Sequence, residues 1–299
     1  MSILVVGSIA FDSVETPFGK VKEVLGGSAS YFSIAASFFA NVRLVAVVGE
    51  DFPQEHLDFF QEKGVDLQGL QRLPGLTFRW EGKYGQNINE RQTLSTCLNV
   101  FEVFQPEIPE QYRSSQYVFL ANIDPDLQLK VLKQVNAPKL TVGDTMNFYI
   151  EGNLSGVKES LRAMDIMTIN EEEVKQLTGE TNLVRAAKKI LSFGPKTVII
   201  KRGEYGALML SRDSIFSVPA YPLETVCDPT GAGDSFAGGF LGYLARNRKC
   251  DDKSLRKAVI FGSVMASFCV EDFSLNRLKS LSYSEIEKRF GEFKELTKF

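Results

Sequence analysis

The run Cys227-Asp228-Pro229-Thr230-Gly231-Ala232-Gly233-Asp234 holds the densest chemistry in the chain. Three small residues, Gly231, Ala232 and Gly233, lead into a stretch of small and apolar side chains that reads as a helix start. The first N–H groups of a helix have no intrahelical partner, and the positive end of its dipole lies there, so such a turn is an anion site. Glycine lets the backbone come close to the anion. Asp234 sits in that first turn. In any helix it would complement the dipole; next to an anion hole it is also a general base.

Other polar clusters stand at places where short apolar runs end. Asn170 and Glu173 are three residues apart at a predicted strand-to-helix turn, a spacing that suits a capping box and also lets both share one face. Lys201-Arg202-Gly203-Glu204-Tyr205-Gly206 is a glycine turn between two apolar runs, which by itself reads as a hairpin turn. Asp12 follows the first apolar run, Ile3–Gly7. No GxxxxGK[ST] occurs, so a Walker-type phosphate loop is excluded, and no GxGxxG follows the first run, which removes a dinucleotide-dependent dehydrogenase.

Positioning these groups takes a particular scaffold. Val42–Val48, Gln116–Leu120, Lys139–Val142, Asp165–Ile169 and Thr197–Lys201 are short apolar runs without alternation, as strands buried on both faces require. Between them lie helical patterns at Ser28–Ala40, Phe52–Lys63, Pro125–Val135, Leu154–Met164, Glu171–Thr178 and Leu183–Phe193, and the chain from Ala232 onward is mostly helical. This alternation predicts an α/β fold, a doubly wound and mostly parallel sheet with helices on both faces. Ser13–Leu25 and Leu73–Phe104 break the rhythm and predict a small β-rich lid inserted into a single domain spanning residues 1–299. Such a flap would close over substrate, with Trp80 and Tyr31 changing environment, or pair with the flap of a second copy in a homodimer.

Composition narrows the field. The chain has 299 residues, 24% of them charged, with a formal net charge of -3. That balance does not suit a nucleic-acid partner, which needs a basic surface. No apolar run reaches the roughly 18 residues of a membrane span, and Met1–Gly7 lacks the features of a signal peptide. The one histidine, His56, lies in a polar helical stretch and reads as a solvated surface residue, so a Ser-His-Asp triad is not expected. The four cysteines, Cys97, Cys227, Cys250 and Cys269, form no CxxC pair, which fits a reducing cytoplasm better than a disulfide framework or a zinc site.

The chain resembles the PfkB, ribokinase-like family of carbohydrate and nucleoside kinases. Asp228–Asp234 is similar to that family's D-T-x-G-A-G-D signature, Gly26-Gly27 to its N-terminal glycine pair, Asn170–Glu173 to its Asn-x-x-Glu motif and Lys201–Gly206 to its Lys-x-Gly-x-x-Gly turn. The resemblance implies a ribokinase-like fold and transfer of the ATP γ-phosphate to a hydroxymethyl group of a sugar or nucleoside. It implies that Asp234 is the base and that the amides of Gly231, Ala232 and Gly233 face the developing charge. Asn170, Glu173 and Asp144 would help to hold Mg²⁺ on the ATP phosphates. Lys201, Gly203, Gly206, Thr230, Gly262 and Ser263 would line the nucleotide site, and Asp12, Gly26, Gly27, Tyr31 and Asn147 the acceptor site. Asp228 and Thr230 could contribute oxygens to a monovalent cation site such as K⁺. Tyr31 stands where ribokinase-like chains often carry Asn; that change argues against ribose itself and fits an altered sugar, or a nucleoside whose base stacks on Tyr31 or Trp80. The competing reading is a catalytically silent nucleotide- or sugar-binding regulator on the same fold.

Overall fold

The computed structural model describes residues 1–298. In chain order the elements are β1 (Ser2–Val6), β2 (Ala10–Thr16), β3 (Gly19–Gly26), α1 (Ser28–Ser37), β4 (Asn41–Gly49), α2 (Gln54–Glu62), β5 (Val65–Leu73), β6 (Phe78–Tyr84) and β7 (Arg91–Cys97). Then come β8 (Tyr117–Leu120), α3 (Pro125–Leu132), β9 (Leu140–Gly143), α4 (Asn147–Gly152), α5 (Leu154–Arg162), β10 (Ile166–Asn170), α6 (Glu171–Thr178), α7 (Leu183–Leu191) and β11 (Thr197–Lys201). The last are β12 (Ala207–Ser211), β13 (Ile215–Val218), α8 (Ala232–Asn247), α9 (Asp252–Cys269), α10 (Asn276–Ser280) and α11 (Tyr283–Leu296).

Two sheets result. The larger runs β13-β12-β11-β10-β9-β8-β1-β4-β5. Its strands are parallel from β5 to β11, and β12 and β13 add an antiparallel edge. Successive residues of β1 point to opposite faces, and both faces are covered. Ile3 and Val5 join a core with Phe32 of α1, Phe240 of α8 and Val264 of α9. Leu4 and Val6 join a second core with Val131 of α3, Leu161 of α5, Val174 of α6 and Ile190 of α7. Two-sided burial is why these strands lack alternation. Phe32 stacks on Phe119 of β8 with ring centroids 4.1 Å apart, which sets α1 against the sheet.

The smaller sheet, β3-β2-β6-β7, is the lid. It extends somewhat differently from the predicted segments. β2 starts at Ala10, so Asp12 belongs to a lid strand rather than to a turn after β1. Val65–Leu73 is the edge strand of the main sheet. His56 departs from the expected solvated position: it is half-buried, its ring 5.4 Å from Phe52 and 6.2 Å from Phe11 at the root of the lid.

Candidate active site

The carboxyl ends of the parallel strands bring the predicted residues together, as open α/β sheets do. Asp144 follows β9, Asn170 ends β10 and Lys201 ends β11, the last two in register. Beyond β1, Asp12 stands on β2 beside the glycine pair that ends β3 and begins α1. A side chain on Gly26 would overlap the Asp12 carboxylate. Gly27 caps α1 with φ 91°, a conformation that disfavours any residue with a Cβ.

α8 starts on Gly231, which has φ 76° and accepts from the Ser235 N–H (2.8 Å). A Cβ on Gly231 would run into the ring of Tyr31. The loop therefore rests on that ring, which is 2% exposed. This corrects one expectation: the Tyr31 ring is covered by Gly231 and cannot stack on a base. Its hydroxyl is buried and has no hydrogen-bond partner among the described residues. A second correction concerns the anion hole. The Ala232 N–H already donates to the Pro229 carbonyl (3.2 Å), because the chain makes a tight turn before the helix. The amides of Gly231 and Gly233 have no backbone acceptor among the described residues and are the open donors.

Asp234 points into the cleft from the first turn of α8. Burial pushes its carboxyl up to about 7, with a further push from Asp144; Lys201, Arg91 and its own N–H pull the other way. Asp12, 4% exposed, is likewise raised to about 7, mainly by burial and then by Asp228 and Asp234, against the Gly27 N–H and Arg91. Asp12 is thus buried and Asp234 partly exposed, with the open amides at the start of the helix that carries Asp234.

On the far side, Lys201 Nζ meets Asp144 Oδ2 at 2.6 Å, both groups nearly buried. The Thr145 N–H donates to the other Asp144 oxygen (2.9 Å). Both Asp144 oxygens are therefore engaged within the protein, one in the ion pair and one in a backbone hydrogen bond. Burial works against the Lys201 charge, but Asp144, Glu173 and Asp234 outweigh it and raise its pKa. A Cβ on Gly233 would lie 3.0 Å from Lys201 Nζ, so the ammonium reaches the underside of the anion hole. Asn170 and Glu173 form the expected capping box: Asn170 Oδ1 accepts from the Glu173 N–H (2.8 Å) and Glu173 Oε2 from the Asn170 N–H (3.0 Å). Glu173 Oε1 lies outside that box. Burial, and then Asp144, raise the Glu173 carboxyl to about 7.

Several predicted residues sit elsewhere. Asn147 donates to Gln176 of α6 (2.9 Å) and so belongs with Asn170 and Glu173 rather than with Asp12. Gly262 faces the carbonyl and ring of Phe236 in the α8–α9 contact, where its small size serves helix packing rather than a base contact. Ser263 is 8% exposed on the same helix. Gly206 (φ 83°) packs against the backbone of Val218–Ala220, and Gly203 underlies the Asn89 side chain of the lid. The Thr230 N–H donates to Asp228 Oδ1 (2.9 Å) and its hydroxyl to Tyr84 Oη (3.3 Å), while Asp228 Oδ2 is buried without a partner. Trp80 lies against Gly82 with Arg91 above it, packed within the lid. Sequence reading missed Tyr84, Asn89 and Arg91, which join the lid to the cleft. All three lie in the predicted Leu73–Phe104 segment, whose pattern shows no period.

The raised acids set a pH dependence. A carboxyl that titrates near 7 when folded and near 3.8 otherwise binds an extra proton in the folded state between those values. Stability from this source is complete below about pH 4 and is lost as pH rises through about 7. The ligand-free protein should melt at a higher temperature at pH 5.5 than at pH 8, whereas turnover should climb toward pH 8 as Asp234 ionises. A melting midpoint that rises between those pH values would contradict the assignment.

The chain matches known proteins along nearly its whole length. The pfkB family carbohydrate kinase profile covers residues 2–279. A cytidine kinase of Thermococcus kodakarensis is 31% identical over 260 residues, 84% of this chain and 91% of that protein. A deoxyribokinase of Salmonella typhi is 32% identical over 304 aligned positions, 95% of this chain and 92% of that protein. The crystal structure of a nucleoside kinase from Methanocaldococcus jannaschii superposes with a TM-score of 0.77 at 19% identity, covering 97% of this chain and 98% of that one, a likeness of fold.

Proposed function

The chain belongs to the pfkB family of carbohydrate kinases, and from that premise we propose that the cleft between Asp12 and Asp234 is where it phosphorylates its substrate. The activity is ATP-dependent phosphoryl transfer to a sugar or nucleoside. One observation carries the assignment of the cleft: a raised carboxyl, Asp234, beside two open amides at a helix start, facing the buried acid Asp12. In this reading Asp12 and the Gly26-Gly27 backbone grip a diol, and Asp234 takes the proton of the attacking hydroxyl. The Gly231 and Gly233 amides receive the charge that develops on the phosphoryl oxygens. These parts leave the silent-regulator reading without a supporting observation.

The acceptor proposed is the ribose of a nucleoside. Support comes from the likeness to a cytidine kinase. Turnover across a panel of nucleosides and free sugars tests this. A nucleoside should give the highest kcat/KM, and preference for a free pentose or hexose would overturn the choice.

Mg²⁺ is the divalent ion this reading needs. Among the described residues no group of three or more acidic, His or Cys side chains could hold a metal alone. A sparse oxygen set fits Mg²⁺, which keeps most of its water and takes phosphate oxygens. Glu173 Oε1 and Asn170 would hold its water shell, and Mg²⁺ would neutralise the ATP phosphates. The orphaned Asp228 oxygen, with Thr230, fits a monovalent cation such as K⁺. The lid is read as a cover. Its inward contacts run to Thr230, and its outer face carries the Lys83–Glu15 and Arg79–Glu23 ion pairs. β3 and β7 leave open edges through which a second copy would pair. Among the described residues no helix is long and apolar enough to cross a membrane.

A further inference from the structure

The turn that carries the two open amides has almost no side chains to anchor it. Gly231, Ala232 and Gly233 offer one methyl group among them, and glycine loses more conformational freedom on folding than any other residue. Donors lower a barrier only if they already stand where charge develops. The turn must therefore be held from outside. Lys201 lies under one end, its Nζ 3.0 Å from where a Gly233 Cβ would stand. Tyr31 lies under the other. The three atoms nearest to a Cβ placed on Gly231 are Cγ, Cδ1 and Cε1 of the Tyr31 ring, so the ring bears on Gly231 along one edge.

The ring is itself held in place. Tyr31 stands in the first turn of α1, where its N–H donates to the Gly27 carbonyl (3.3 Å). Helical side chains lean back toward the helix N-terminus, which carries the ring toward the cleft. Burial, and then Asp12, Cys269, Asp228 and Tyr84, push its hydroxyl well above the usual phenol range, so the far end of the side chain lies near Asp12 and Asp228. α1 is locked in turn against α8. A Cβ on Gly238 would strike the Phe32 carbonyl and the Ala35 methyl, so the two helices approach backbone to backbone further along α8. The ring cannot shift without moving one helix against the other. A single side chain, 2% exposed, thus reaches from the neighbourhood of Asp12 to the anion hole.

We propose that Tyr31 is a positioning residue for phosphoryl transfer, its ring fixing the Gly231 turn at the distance from the acceptor that in-line attack needs. The proposal rests on the reading of the cleft as the transfer site. The bond from the acceptor oxygen to Pγ forms. The bond from Pγ to the β–γ bridging oxygen breaks, its electron pair leaving with ADP, and the hydroxyl proton goes to Asp234. Tyr31 takes no proton and makes no bond; it keeps the donors in place while these changes occur. A residue that only filled the core between α1 and α8 would contribute stability and leave the rate of the folded enzyme alone. An edge pressed on Gly231 contributes to both.

The test measures kcat, acceptor KM and melting midpoint for Tyr31→Phe, Tyr31→Leu, Gly231→Ala, the last two combined, and Asp234→Asn, on the acceptor that the panel selects. Rates are taken well below the lowest midpoint and expressed per folded molecule. Tyr31→Leu should lower kcat by about 10–10²-fold, because a displaced donor forfeits much of what a well-placed one supplies. The acceptor KM should stay near its wild-type value. Tyr31→Phe keeps the ring and should restore most of the rate. Gly231→Ala drives a methyl group into the ring, so it should cost less in the Tyr31→Leu background than alone. Tyr31→Met, which fills more of the volume, repeats the comparison if Tyr31→Leu does not fold. Unchanged kcat in Tyr31→Leu, an equal loss in Tyr31→Phe, a raised acceptor KM with kcat intact, or costs that multiply independently would each overturn the assignment. Asp234→Asn separates the two layers: if it is inactive while Tyr31→Leu turns over normally, only the Tyr31 role falls; if it stays active, the reading of the cleft falls as well.

Discussion

Asp234→Asn is expected to cut turnover by about 10²–10⁴-fold while ATP still binds, and to raise the melting temperature of the ligand-free protein above pH 7. The first effect is the scale of a lost general base. The amide keeps the shape of the side chain and leaves the Gly231 and Gly233 amides in place, so nucleotide affinity should survive. The second effect follows from burial. Asp234 is partly shielded from water and faces Asp144, which together push its carboxyl up to about 7. Removing the charge relieves that cost in full above pH 7 and only in part at pH 5.5, where the unfolded acid is ionised but the folded one is not. Loss of activity with gain of stability is the signature of a site strained for function. Near-normal turnover on the true substrate would sink the assignment. Loss of activity with a lowered midpoint would indicate a structural role instead.

The parts legible in the sequence are those whose signal is local. β1 and β4 are buried on both faces, so burial writes an apolar run. The Gly231–Asp234 turn, the Asn170–Glu173 box and the Gly26-Gly27 pair are each contiguous, and their chemistry can be read from type and spacing. β5 was not legible: as an edge strand it mixes buried and exposed positions, and its polar residues resemble a loop. β13 and α4 are short and leave little pattern to read. The Asp144–Lys201 pair was readable only as two separate candidates, because the strand order β9-β10-β11 brings together groups 57 residues apart. Tyr31 shows the opposite failure. Its type suggested stacking, but the backbone of Gly231, two hundred positions later in the chain, covers its ring. Arg91 lies in a polar run with no period, and only the β6–β7 register shows which way it points.

Lys201→Met is expected to destabilise the protein by about 3–5 kcal/mol at pH 8, the usual cost of stranding one member of a buried ion pair. Lys201 and Asp144 have side chains only 16% and 5% exposed, so solvent screening offers little relief. Methionine keeps the length of the lysine stem but leaves the Asp144 carboxylate beside Glu173 and Asp234 with no cation in its place. Asp144 is already raised by burial, with Lys201 the main opposing influence. Without Lys201 it rises further. The stranded carboxylate can then take up a proton at pH 5.5 more readily than at pH 8, so the loss should be smaller at the lower pH. Asp144→Asn combined with Lys201→Met should recover most of the stability, because the uncompensated charge is gone. Turnover should not recover with it. Lys201 Nζ reaches the underside of the Gly233 turn, and no side chain of the double variant returns a positive charge there. Chemical denaturation at both pH values, with turnover measured on the same samples, separates the two roles. If the single variant loses equal stability at pH 5.5 and pH 8, or the double variant recovers none, the ion pair is not what holds this side of the cleft. If turnover returns together with stability, the lysine acts only through the fold.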